Sequence, residues 1–84
     1  MDLDKMVEKI ESREALVDFL EVLLADLEEN RSEWENDTLE RYLDAMWGWL
    51  QDMDGWCRNL HIPVPEQPSW KLIGWILLAA KYYE

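Results

Sequence analysis

Between residues 16 and 27 the apolar side chains fall at Leu16, Phe19, Leu20, Leu23, Leu24 and Leu27, with Asp18, Glu21, Asp26 and Glu28 mostly on the opposite side. Steps of three and one are the period of an α-helix with a single oily stripe. Ser12 offers an N-cap oxygen, and Glu14 sets a carboxylate in the first turn, where the helix dipole favours negative charge. The pattern fades at Glu29-Asn30, so a first main helix is predicted over about 12–29. The polar stretch that follows carries one large ring, Trp34, and reads as a connecting loop.

Asp37 and Glu40 have the spacing of a capping box, with Asn36 and Thr38 as other possible caps. From there Leu39, Tyr42, Leu43, Met46, Trp47, Leu50, Met53, Trp56, Cys57 and Leu60 keep helical period for about six turns. Gly48 and Gly55 lower the propensity of this second main helix, about 37–61, without ending it. Pro63, Pro65 and Pro68 then remove amide donors and favour extended neighbours, which predicts a stiff crossover at 62–68. Ser69 caps a final helix, about 69–83, with Trp70 at its first position. Leu72 to Ala80 has no polar face, so this helix must be covered.

Two flanking helices leave one side of it open. Leu3, Met6, Val7 and Ile10 share helical spacing and form a short N-terminal helix or arm that could close that side, as could a second copy of the chain. The fold class expected is all-α: a small bundle of three main helices plus the N-terminal piece, in a single domain over 1–84.

Composition sharpens this picture. With 49% hydrophobic residues an 84-residue chain has the material for one core. Six Trp, three Tyr and one Phe are many rings for that core, so some should stay partly exposed. The formal charge is −11, and residues 11–44, with twelve acids and three bases, hold −9 of it. That excludes binding nucleic acid through its phosphates and disfavours anionic membranes. The longest apolar run, nine residues from Leu72 to Ala80, is about half of what a membrane span needs. One cysteine, Cys57, and an acidic N-terminus unlike a signal peptide predict a cytoplasmic chain.

Candidate chemistry is sparse. The sole imidazole, His61, stands four residues after Cys57, and the pair reads as a core thiol beside a helix end rather than a catalytic couple. These two soft ligands fall short of a structural zinc site. Asp52-Met53-Asp54-Gly55 opens like a calcium loop, but its twelfth position is Pro63 where a Glu is required. Asp54 has Arg58 at i+4 and reads as a structural ion pair. A hydrolase built on Asp52, Asp54 or Glu66 ranks last, and neither catalytic residues nor a cofactor is assigned. The prolines read as an internal crossover stacked on Trp56 or Trp70 rather than as a polyproline ligand.

Trp34 among Glu33, Glu35 and Asp37 suggests an interface anchor ringed by charge. Trp34, Glu35 and Asp37, with Trp75 on the final helix if the chain dimerises, are the predicted partner-binding residues. The expected function is non-enzymatic protein–protein interaction, with a homodimer as one form of it. The alternative is an acidic inhibitor that mimics nucleic acid or, like an immunity protein, fills a basic cleft on an enzyme.

The combination of Ser12-Arg13-Glu14, Trp34-Glu35-Asn36, Thr38-Leu39-Glu40, Trp49-Leu50, Asp52 to Gly55, Pro63, Pro65, Pro68, Trp70 and the closing Tyr83-Glu84 resembles a family of small acidic bacterial proteins known only as a domain of unknown function. The likeness runs from about Ile10 onward. It implies a bacterial, cytoplasmic, all-helical protein and transfers no catalytic residue.

Overall fold

A computed structural model of the chain describes residues 2–84. Five α-helices follow one another: α1 (Leu3–Glu8), α2 (Arg13–Glu29), α3 (Leu39–Gln51), α4 (Met53–Asn59) and α5 (Trp70–Tyr82), with a 3-10 turn at Arg31–Glu33 between α2 and α3. Among the described residues there is no strand. Ser12 caps α2 by accepting from the Ala15 N–H at 3.1 Å, and Ser69 caps α5 by accepting from the Leu72 N–H at 3.0 Å. At the start of α3 the cap is Thr38, whose hydroxyl accepts from the Arg41 N–H at 3.2 Å. The Asp37–Glu40 capping box does not form.

The second predicted helix is two. It breaks at Asp52, whose N–H donates to the Gly48 and Trp49 carbonyls, both at 3.1 Å, while the backbone there opens to φ −95° and ψ 5°. The Asp52 carboxylate is held by the Tyr83 hydroxyl, and neither Gly48 nor Gly55 is the breakpoint. At the far end of α4 the chain turns through His61 at φ 58°, with its N–H on the Arg58 carbonyl and the Ile62 N–H on the Cys57 carbonyl. This pair of bonds is a Schellman motif, whose left-handed position normally holds glycine.

Helix α5 is covered on its open side from within the chain. It packs against α3, α2 and α1, and the closest approach is at Gly74. A Cβ there would stand 2.7 Å from Ile10 Cδ1 and 3.6 Å from Val7 Cγ1. The N-terminal piece, a true helix, therefore supplies the missing neighbour. Val7, Ile10, Leu16, Phe19, Leu23 and Leu78 are buried together around this contact. On the other flank Trp49, Trp56 and Trp75 form a column of rings from α3, α4 and α5, with centroids 5.2 and 5.7 Å apart.

The α3 face differs from the expected one. Ala45 and Trp49 are its buried residues, whereas Leu39, Leu43, Trp47 and Leu50, all on the predicted apolar stripe, are exposed. The apolar arc of α3 is wider than one helix contact, and the stripe marks its outer edge.

Polar groups close the other end of the bundle. Lys81, 4% exposed in the last turn of α5, sets its ammonium 2.7 Å from Asp26 Oδ2 on α2. The same oxygen accepts from Trp34 Nε1 at 2.8 Å, and Asp26 Oδ1 accepts from Asn30 Nδ2 at 3.0 Å. Burial acts to raise the Asp26 pKa, but the hydrogen bonds from Lys81, Asn30 and Trp34 outweigh it and hold the carboxyl below its ordinary value. Burial acts to lower that of Lys81, and its bonding to Asp26 and Tyr82 reverses this and raises it. Asn36 Nδ2 donates to the carbonyls of Ala80 at 2.9 Å and Tyr83 at 2.7 Å, occupying oxygens that the end of α5 leaves free. Tyr42 donates its hydroxyl to the Leu77 carbonyl at 2.7 Å, and burial pushes its pKa up to about 12.

Asp26→Ala leaves the Lys81 ammonium buried alone and is expected to cost about 3 kcal/mol in urea denaturation. Lys81→Met should cost clearly less, because Asp26 keeps its Trp34 and Asn30 donors. A lowered carboxylate pKa stabilises the fold above the unfolded value and loses that contribution as pH falls through the folded one. The advantage of wild type over Asp26→Asn should therefore shrink below about pH 4. His61→Gly relieves a side chain in the left-handed region and is expected to add about 0.5–1 kcal/mol, read as a higher melting temperature.

Candidate functional site

Helix α2 turns Leu16, Phe19 and Leu23 into the core. Each residue advances the helix by about 100°, so Val17, Leu20 and Leu24 emerge on the adjoining flank, and Leu20 and Leu24 face the beginning of α3. There Leu39 and Leu43 stand outward. The result is an apolar groove of about 320 Å³ walled by Leu20, Leu24 and Leu27 on one side and Leu39 on the other. Trp34 and Tyr42, stacked with centroids 6.1 Å apart, lie at its base. Leu24 is 57% exposed and Leu39 68%, so both walls meet solvent with leucine. Exposed leucines grouped in this way mark a contact surface more often than leucines scattered singly.

The base of the groove is rigid. Trp34 is fixed by its Nε1–H bond to Asp26, and Tyr42 by its bond to the Leu77 carbonyl. One end is closed by Asp37, whose carbonyl accepts from Arg31 Nη1 at 3.0 Å and whose carboxylate lies 3.6 Å from Arg41 Nη1. Beyond the leucine walls, the next exposed positions around α2 are Glu21 and Glu28, and around α3 they are Trp47 and then Glu40. The site is an oily trough with negative rims.

The predicted partner-binding residues separate. Trp34 and Asp37 both line the groove, but Trp34, at 7% exposed, is part of its base and not a projecting anchor. Glu35 lines a different, polar cleft of about 470 Å³ with Asp44, Asp52 and Tyr83. Trp75 packs on Trp56 in the ring column. A hollow of about 650 Å³ lies elsewhere, where Ile10 and Glu11 meet Pro68 and Trp70.

The carboxylates considered for hydrolysis are also apart. Asp52 lines the polar cleft, while Asp54 and Glu66 are exposed away from it. Among the described residues Asp54 makes no ion pair with Arg58, which corrects the expected i,i+4 bridge: both groups are exposed, where such a pair gains little. Cys57 is fully buried and His61 exposed, so the two do not share a site. Among the described residues no group of three metal-ligating side chains forms, and no helix is long and apolar enough to cross a membrane.

The residues that sequence reasoning missed are the wall leucines Leu20, Leu24 and Leu39, with Leu43 exposed one turn further along α3. All four lie on the apolar stripes that the helical period assigns to the core. The available signal was the width of the α2 arc: Val17 extends it past what one core face can bury.

No curated protein and no solved structure matches the chain. A family model does match, over residues 12–84, from the cap of α2 through α5, in line with the resemblance read from the sequence. The protein belongs to that family, a family of unknown function designated DUF7660.

Proposed function

We propose that the protein is a non-enzymatic protein-interaction module of the bacterial cytoplasm and that its docking face is the groove between α2 and α3. The observation that carries this reading is the pair of solvent-facing leucine walls over a base fixed by Trp34 and Tyr42. A preformed trough with a rigid floor loses little conformational freedom on binding, so most of the buried leucine area contributes to affinity. Helix α5 is already covered by α1, which removes the strongest reason for a second copy to sit there. Mimicry of nucleic acid, the alternative, calls for uninterrupted charge. Here the acids of α2 and α3 alternate with exposed leucines, which favours contact through apolar surface with charge at its edge.

The double variant Leu24→Gln/Leu39→Gln tests the assignment. Both side chains are largely exposed, so its melting temperature should stay within a few degrees of wild type. A photo-crosslinking residue at position 43 should join wild type to a discrete protein in a bacterial lysate, and the double variant should lose that product. An identical cross-linked product from both chains would move the docking face off the groove.

A further inference from the structure

We infer that the occupant of the α2–α3 groove is a cationic amphipathic helix of another protein; this rests on the groove being the docking face. Helical character follows from the walls. Leu39, Leu43 and Leu50 recur along one line of α3, and Val17, Leu20 and Leu24 follow one line of α2. Helices α2 and α3 both pack on α5 without packing on one another, and the apolar ridges on either side of the gap can receive the i, i+3/i+4, i+7 side chains of a third helix. The ring pair at the base is closed and offers no deep slot for a single inserted side chain.

Positive charge follows from the rims. Glu21 and Glu28 lie one turn either side of Leu24, and Glu40 stands next to Leu39, all three exposed. The nearest arginines, Arg31 and Arg41, are both engaged with Asp37 at the end of the groove. Lysine or arginine at the margins of the incoming helix can lay its alkyl stem along the leucines and set its charged head against these carboxylates. A second copy of the chain would bring the same −9 of residues 11–44 to the contact, and like charges within a Debye length, about 8 Å, oppose that pairing.

Titration calorimetry on the full chain, with two synthetic helices of about 14 residues and the same leucine stripe, one lysine-rich and one glutamate-rich, decides the matter. The lysine-rich helix is expected to bind one to one and at least about tenfold tighter than the other. Leu24→Gln/Leu39→Gln should weaken it by more than about tenfold, and Glu21→Gln/Glu40→Gln should weaken it and flatten its salt dependence. Equal, leucine-dependent binding of both peptides would overturn the charge assignment and leave the docking face standing. Lysine-peptide binding that is lost in salt but indifferent to the leucine variant would also overturn the inference, as charge attraction alone. If neither peptide binds and sedimentation shows a dimer that the leucine variant dissociates, a second copy is the occupant and the inference fails. If neither binds and the chain is a monomer, both the inference and the docking face fail.

Discussion

The ion pair between Asp26 and Lys81 is the constraint on which the rest of the arrangement depends. An apolar helix such as α5 can pack in several rotations about its axis, because dispersion and burial have little directional preference. A lysine in its last turn, 4% exposed and 2.7 Å from a carboxylate on α2, admits one rotation only. That choice sets which residues of α5 face α1 and α3, and places Gly74 against Ile10. A buried ion pair is weak evidence of net stability, since desolvation offsets much of the attraction. Its contribution here is to fix the register of the bundle.

Trp34 extends that constraint into the connection between α2 and α3. Its indole N–H shares the Asp26 oxygen that receives Lys81, so one carboxylate holds the last turn of α5, the end of α2 and the loop between helices. Lys81 also lies 5.3 Å from the center of the Trp34 ring, a cation over an aromatic face. Asn36, two residues on, binds the α5 terminus through backbone and side chain. The loop thus enters the core of the structure, and the floor of the groove inherits its rigidity from a network below it.

Local rules were legible from residue order and distant partnerships were not. The caps at Ser12 and Ser69 and the proline crossover could be read because each depends on a few adjacent residues. The Asp52 carboxylate at the break is bound by Tyr83, 31 residues away, a partner that no nearby residue announces. Trp34 looked like a surface anchor because its neighbours Glu33, Glu35 and Asp37 are charged, yet its partner Asp26 lies a full helix end earlier. On α3 the hydrophobic period was correct, but it could not say which edge of a broad apolar arc meets α5. The edge expected in the core became the groove wall, so the error about the core and the omission of the site have one origin.

The ring column has a further consequence, for the way the chain opens. Helix α4 is tied to the bundle chiefly through Trp56, between Trp49 and Trp75, and through the buried Cys57, whereas every residue from Arg58 to Trp70 is exposed. Such a segment has few tertiary contacts to lose, so it can detach as a cooperative unit while α1, α2, α3 and α5 stay assembled. The chain then has two regimes of stability: a groove-bearing body opened only by global unfolding, and an α4–crossover segment whose amides exchange through a smaller, local event.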